Sequence, residues 1–169
     1  MRARAFVIAS EAKQSGITVK VLDCFVAYAP RNDGVKSAMS DHLFVYGTLM
    51  RGFDHPMAQL LSRAADFIGR ARCRGRLFLV KHYPGLVLSD DGADIVFGEM
   101  FRLREAAECL RELDMYEACG EGFAEPTEYV RQMLTVTLDN GETRSAWTYV
   151  YNHPVDRLPR IASGRFLEG

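Results

Sequence analysis

Tyr129-Val-Arg-Gln-Met-Leu-Thr-Val-Thr-Leu138 leads through Asp139-Asn140-Gly141 and Glu142 into Thr143-Arg-Ser-Ala-Trp-Thr-Tyr-Val-Tyr151. Both flanking runs are rich in β-branched and aromatic residues, which suit a pleated, half-buried surface. Asn-Gly between two such runs is the strongest short hairpin signal, because those residues tolerate the positive φ that a tight hairpin turn demands. Two antiparallel strands, 129–138 and 143–151, are expected.

The segments upstream follow from this hairpin. Glu105–Tyr116 reads as a helix in which Ala106, Leu110, Leu113 and Glu117 share one stripe. Gly120, Gly122 and Pro126 end it. Ile95–Leu103 and Ala71–Val80 read as strands, with Arg70, Arg72, Arg74 and Arg76 alternating along one face of the second. Tyr83-Pro84-Gly85 reads as a turn. Leu43–Tyr46 is a short strand that stops at Gly47, and Asp54 is placed to cap a helix holding Pro56, Met57, Leu60 and Leu61. About six strands and two helices, without regular βαβ alternation, predict an α+β fold with a small, closed, mostly antiparallel sheet. The tail from Asn152 reads as irregular.

Composition narrows the function classes. The chain has 169 residues, 48% hydrophobic and 25% charged, which fits one globular domain of ordinary size. A net charge of −1 gives no global footprint for nucleic acid or an anionic membrane. No apolar run approaches the ~18 residues that span a bilayer, and no secretory signal is evident, so the cytoplasm is the expected compartment. Cys24, Cys73, Cys109 and Cys119 form no C-x-x-C pair and read as reduced thiols. His42, His55, His82 and His153 are scattered without metal-ligand spacing, so no metal site is expected.

Residues 1–38 differ from the remainder. They carry six basic and three acidic residues, and 29–39 reads as a linker leading to Met39. They are expected to be an N-terminal extension outside a working domain at 39–169. A strand at 19–28 added to a sheet edge is the competing reading.

Two stretches could carry chemistry. At Tyr46-Gly47-Thr48-Leu49, a glycine after a strand lets backbone amides turn outward into an anion-binding nest; a plain strand-to-loop turn is the other reading. At Leu113-Asp114-Met115-Tyr116-Glu117, the glutamate falls on the apolar stripe at a helix C-terminus. Burial and the helix dipole both raise a carboxyl pKa there, towards the range where a general base works best. A solvent-facing glutamate at a frayed helix end is equally open. The arginine row reads as a solvated face, Cys119 has no histidine nearby to activate it, and Trp147, Tyr149 and Tyr151 read as core or pocket wall.

Phe44-Val45-Tyr46-Gly47-Thr48-Leu49-Met50-Arg51-Gly52 resembles the opening signature of the gamma-glutamylcyclotransferase-like proteins, in the small bacterial branch similar to gamma-glutamylamine cyclotransferase. Gly75-Arg76-Leu77-Phe78, Tyr83-Pro84-Gly85-Leu86, Val96-Phe97-Gly98-Glu99-Met100, Leu113–Glu117, Tyr129-Val130-Arg131 and Ala146–Tyr151 follow in the family's order. The resemblance runs from residue 42 to about 152. It implies a compact mixed barrel with flanking helices. It further implies that Tyr46, Gly47, Thr48 and Leu49 bind a gamma-glutamyl group through backbone amides, and that Glu117 is the catalytic acid/base. The implied reaction is release of 5-oxoproline from a small-molecule gamma-glutamyl amine or peptide, with no metal or cofactor. Ala118 stands where glycine often follows the glutamate, His82 where glycine is frequent, and the loop to Tyr129 is long and acidic. A binding protein that kept the pocket without turnover is the alternative, and a nucleic-acid contact through the arginine strand is a weaker one.

Overall fold

The computed structural model describes residues 40–120 and 122–166. The expectation for residues 1–38 falls outside them. Five strands close into a barrel: β1 (His42–Val45), β2 (Ala65–Arg74), β5 (Ile95–Leu103), β6 (Tyr129–Leu138) and β7 (Thr143–Tyr151), in the order β1-β5-β2-β6-β7. Every pairing is antiparallel except the closing one, where β1 runs parallel to β7 at Leu43 and Trp147. A second sheet holds β3 (Arg76–Leu79), β4 (Pro84–Val87) and β8 (Arg160–Ile161), in the order β4-β3-β8. Helices α1 (Pro56–Ala64) and α2 (Ala106–Tyr116) complete the described elements.

The expected α+β class and closed, mostly antiparallel barrel are found, but with five strands in the barrel and three in a second sheet among the described residues where about six in all were expected. The hairpin strands β6 and β7 and the strand β5 have the bounds expected from their residues. At the hairpin tip Gly141 takes φ 87°, and its amide donates to the Leu138 carbonyl at 2.9 Å.

Several expectations are corrected. The strand foreseen at Ala71–Val80 is two strands in different sheets, parted at Gly75. A Cβ at Gly75 would sit 2.5 Å from Leu86 Cδ1 and 2.8 Å from the Val87 carbonyl oxygen, so the chain crosses β4 there only without a side chain. Arg76 consequently leaves the row of Arg70, Arg72 and Arg74. Second, His55 rather than Asp54 caps α1: its Nδ1 accepts from the Met57 amide at 3.2 Å, with Pro56 opening the first turn. Third, the turn at Tyr83-Pro84-Gly85 runs straight into strand β4, and the irregular tail contributes the short strand β8.

Two apolar clusters share the work of stabilisation. One packs α1 and α2 on the barrel through Leu43, Leu61, Leu110 and Leu113, and the other fills the barrel with Phe44, Ala71, Val96, Met100 and Val136. Burying a leucine of this kind contributes about 1.5–3 kcal/mol, and truncating one to alanine costs about 2–5 kcal/mol. The packing of Leu110 and Leu113 fixes the end of α2 against the mouth of the barrel. Among the described residues no helix is long and apolar enough to cross a membrane.

Candidate active site

β1 ends at Val45, and the chain turns through Tyr46–Met50, closed by the Met50 amide donating to the Gly47 carbonyl at 3.0 Å. Thr48 and Leu49 are the central residues of that turn. Their amides donate to none of the described residues, and both residues line the adjoining cavity. Gly47 is demanded by space: a Cβ there would lie 2.5 Å from Pro84 Cγ and 2.9 Å from Pro84 Cδ. Its φ is not positive, so no left-handed conformation is involved.

The turn is braced on both sides. The buried Tyr46 hydroxyl donates to the Tyr149 carbonyl at 2.7 Å and accepts from the Leu86 amide at 3.3 Å, tying β1 to β7 and β4. Burial also holds its pKa far above the ordinary phenol range. Behind the turn, Glu99 on β5 is only 6% exposed. It accepts from the Arg51 amide at 2.9 Å and from Arg51 Nε at 3.1 Å, while the Arg51 guanidinium lies over the Phe67 ring at 3.3 Å. A buried carboxylate of this kind is retained because its charge and hydrogen bonds are both met. Nothing in the sequence reading singled out Glu99 or Arg51 for this, since they meet across 48 residues.

Opposite the turn lies the end of α2. Glu117 follows the last helical residue, and its amide donates to the Leu113 carbonyl at 2.8 Å. Ala118 then adopts φ 48°, a left-handed conformation that costs a residue with a Cβ about 1–2 kcal/mol. Asp114, one turn back, anchors this corner: Oδ1 accepts from the Tyr149 hydroxyl at 2.8 Å and Oδ2 from Arg131 Nη1 at 2.7 Å. Desolvation pushes the Glu117 carboxyl up to about 7, and the negative charge of Glu128 adds to the effect.

Glu117 and the turn share one cavity of about 290 Å³, lined by Tyr46, Gly47, Thr48 and Leu49 on one side and by Tyr116, Glu117 and Ala118 on another. Tyr83, Pro84, Glu128 and Tyr129 also contribute to its wall. The Tyr83 hydroxyl donates to Glu128 Oε1 at 2.9 Å, and the Tyr129 hydroxyl to the Pro84 carbonyl at 2.9 Å. Burial and the Glu128 charge push the Tyr83 phenol up to about 12. At the rim, His55 Nε2 and the Tyr116 hydroxyl lie 3.2 Å apart. His55 Nδ1 already accepts from an amide, so Nε2 carries the proton and donates.

All five residues singled out in the sequence therefore meet in one cavity. Glu117 lines it and is half-buried. His55, His82, Tyr83, Tyr116, Glu128 and Tyr129 also line it and were not foreseen as site residues. Cys119 is buried, outside the lining, and its thiol is pushed up by desolvation, the opposite of what a nucleophile needs. Among the described residues no group of three His, Cys, Asp or Glu side chains gathers as a metal site.

A cavity of this size, with a carboxyl raised towards neutrality in its lining, suits a small molecule. A family profile, "Gamma-glutamyl cyclotransferase, AIG2-like", matches residues 43–168. The chain is 38% identical over 130 residues to the gamma-glutamylcyclotransferase family protein YtfP of Escherichia coli (strain K12), covering 75% of this chain and 96% of that one. Among solved structures, an AIG2-like protein from Mus musculus superposes with a TM-score of 0.56 at 28% identity, over 72% of this chain and 86% of that one. YkqA from Bacillus subtilis gives the same TM-score and identity over 75% of this chain and 39% of its own. The chain belongs to the gamma-glutamyl cyclotransferase, AIG2-like family.

Proposed function

We propose that the protein is a gamma-glutamylcyclotransferase that releases 5-oxoproline from a small gamma-glutamyl amine or peptide, with Glu117 as general acid/base and the Tyr46–Leu49 turn as the substrate cradle. The observation that carries this reading is the Glu117 carboxyl, raised to about 7, facing the turn across a shared cavity.

The turn amides of Thr48 and Leu49 receive the substrate's α-carboxylate, and the glutamyl chain folds so that its own α-amine approaches its γ-carbonyl. Attack is then intramolecular, a situation in which effective molarities of about 10⁵–10⁸ M are attainable. The α-ammonium first gives a proton to Glu117. The freed nitrogen bonds to the γ-carbon, and the bond from that carbon to the departing nitrogen breaks. Two protons leave the attacking nitrogen in all and both end on the departing amine, which leaves as an ammonium ion; 5-oxoproline keeps the third. No water is consumed. A carboxyl near 7 both accepts and returns a proton readily at neutral pH. Tyr46 and Asp114 act at one remove, the first holding the turn and the second holding the end of α2.

Incubation with a panel of gamma-glutamyl amines and dipeptides, followed by assay of 5-oxoproline, tests the reading. Release of 5-oxoproline in equal amount to the free amine supports it. Binding without release would favour a protein that kept the pocket and not the reaction.

A further inference from the structure

A second cavity, of about 580 Å³, shares none of its lining residues with the first. Its described lining carries three arginines, Arg51, Arg70 and Arg165, against two carboxylates, Glu99 and Asp139. Arg51 and Glu99 neutralise each other. Arg70 stands directly across from Glu99 on the neighbouring strand, yet that carboxylate is taken by Arg51. Neither Arg70 nor Arg165 has an ion-pair partner among the described residues.

The fold builds the position of Arg165. Beyond the last pairing of β1 with β5, the Phe97 amide donates to the Gly164 carbonyl at 2.9 Å. Gly164 takes φ 64°, and a Cβ there would collide with the Ile95 carbonyl oxygen, so only glycine lets the tail dock on β5. The next residue, Arg165, thereby sets its guanidinium over the Phe97 ring, 3.7 Å from the centroid. Stacking of this kind uses the flat face of a guanidinium and leaves the N–H donors round its edge. Arg51 shows the completed arrangement, with Phe67 beneath its guanidinium and the Glu99 carboxylate on its N–H groups. Arg165 has the ring and, among the described residues, no anion.

We propose that this second cavity is a binding site for a small sugar phosphate, with Arg165 and Arg70 holding the phosphate. A carboxylate has two oxygens and is used up by one guanidinium, as Glu99 is by Arg51. A phosphate monoester carries about 1.5–2 negative charges at neutral pH and three acceptor oxygens, enough for two guanidiniums. Asp139 is exposed and pairs with neither arginine. It repels a phosphate laid against it and accepts from a hydroxyl, which the sugar supplies. The volume lies within the range of about 300–1,000 Å³ usual for small-molecule sites. The site owes nothing to the chemistry proposed for Glu117.

Calorimetric titration of the full chain with ribose 5-phosphate, ribose and succinate decides the point. Ribose 5-phosphate should bind with a Kd below about 1 mM and at least about tenfold more tightly than either of the others. Arg70→Gln and Arg165→Gln should each weaken its binding about tenfold, in chains that a thermal melt shows to be folded. Arg165→Lys, which keeps a cation beside Phe97, stands in if the glutamine variant fails to fold, with a smaller loss in the same direction. Absence of saturable binding below about 1 mM overturns the proposal. So does a Kd unchanged in a folded Arg70→Gln, Arg165→Gln double variant, since the phosphate would then sit elsewhere on the molecule. Succinate or ribose bound as tightly as the sugar phosphate also overturns it.

Discussion

The Tyr149 hydroxyl donates to Asp114 Oδ1 at 2.8 Å, and the same tyrosine's carbonyl accepts from the Tyr46 hydroxyl at 2.7 Å. One residue of β7 thereby links the end of α2, three residues before Glu117, to the start of the turn that faces it. Tyr149 thus bridges the two halves of the site, in addition to the packing of Leu110 and Leu113.

Cutting the hydroxyl's part of that link should loosen the end of α2. Tyr149→Phe keeps the ring and loses the donor, for an expected cost of about 0.5–1.5 kcal/mol in stability. Asp114→Ala also strands Arg131, and should cost more, about 1–3 kcal/mol. In both variants kcat should fall further than KM rises, because the proton carrier and not the carboxylate cradle is displaced. Thermal melts and initial rates on the same samples measure the two effects together.

The turn should respond to bulk and not to loss of a hydroxyl. Gly47→Val must push Pro84 aside, since even a Cβ would stand 2.5 Å from its ring; severe loss of substrate binding is expected. Thr48→Ala keeps the amide, so KM should change by less than about threefold, which is under 1 kcal/mol. Equal and mild KM changes in both variants would mean the turn is only a connection.

Stability should carry the imprint of Glu117. Its carboxyl is raised from an ordinary value near 4.5 to about 7 in the folded protein. Between those values the folded state binds more protons than the unfolded state, so this group makes stability fall as pH rises from 4.5 to 7. Glu117→Gln removes that penalty. The variant should gain up to about 3 kcal/mol over the parent above pH 7 and little below pH 4.5, as read by denaturant unfolding at both ends.

How much was legible in the chain depended on the range of the force concerned. The hairpin 129–151 and the strand Ile95–Leu103 are set by local alternation and turn chemistry, and their bounds could be read from the residues themselves. The inward position of Glu117 follows from its place on the stripe with Leu110 and Leu113, once those two bury. The break at Gly75 depends instead on Leu86 and Val87 crossing over it, a contact that no local pattern announces. The pairs Tyr83–Glu128 and Arg51–Glu99 join residues more than 40 positions apart, so the acid in the cavity wall and the brace behind the turn emerge only when the barrel closes. The His55 cap illustrates a smaller miss. Asp54 is the stronger capping residue by type, but Pro56 takes the first helical position and makes its neighbour the cap.

We propose that residues 1–38 lie outside the working domain. A chain of residues 39–169 should match the full chain in melting temperature and in 5-oxoproline release. A loss of more than about 2 kcal/mol, a large share of a typical total of 5–15, would make the segment structural.

Acid/base catalysis by Glu117 is tested most directly by the kcat of Glu117→Gln for 5-oxoproline release, measured beside the parent on the best substrate of the panel. The amide has nearly the same shape and accepts no proton at neutral pH. A fall of about 10²-fold or more is expected, with substrate binding nearly unchanged, because a positioned general base contributes about 10²–10⁴-fold. A variant that keeps more than about a tenth of the parent kcat would contradict the assignment, since a general base contributes at least tenfold more than that.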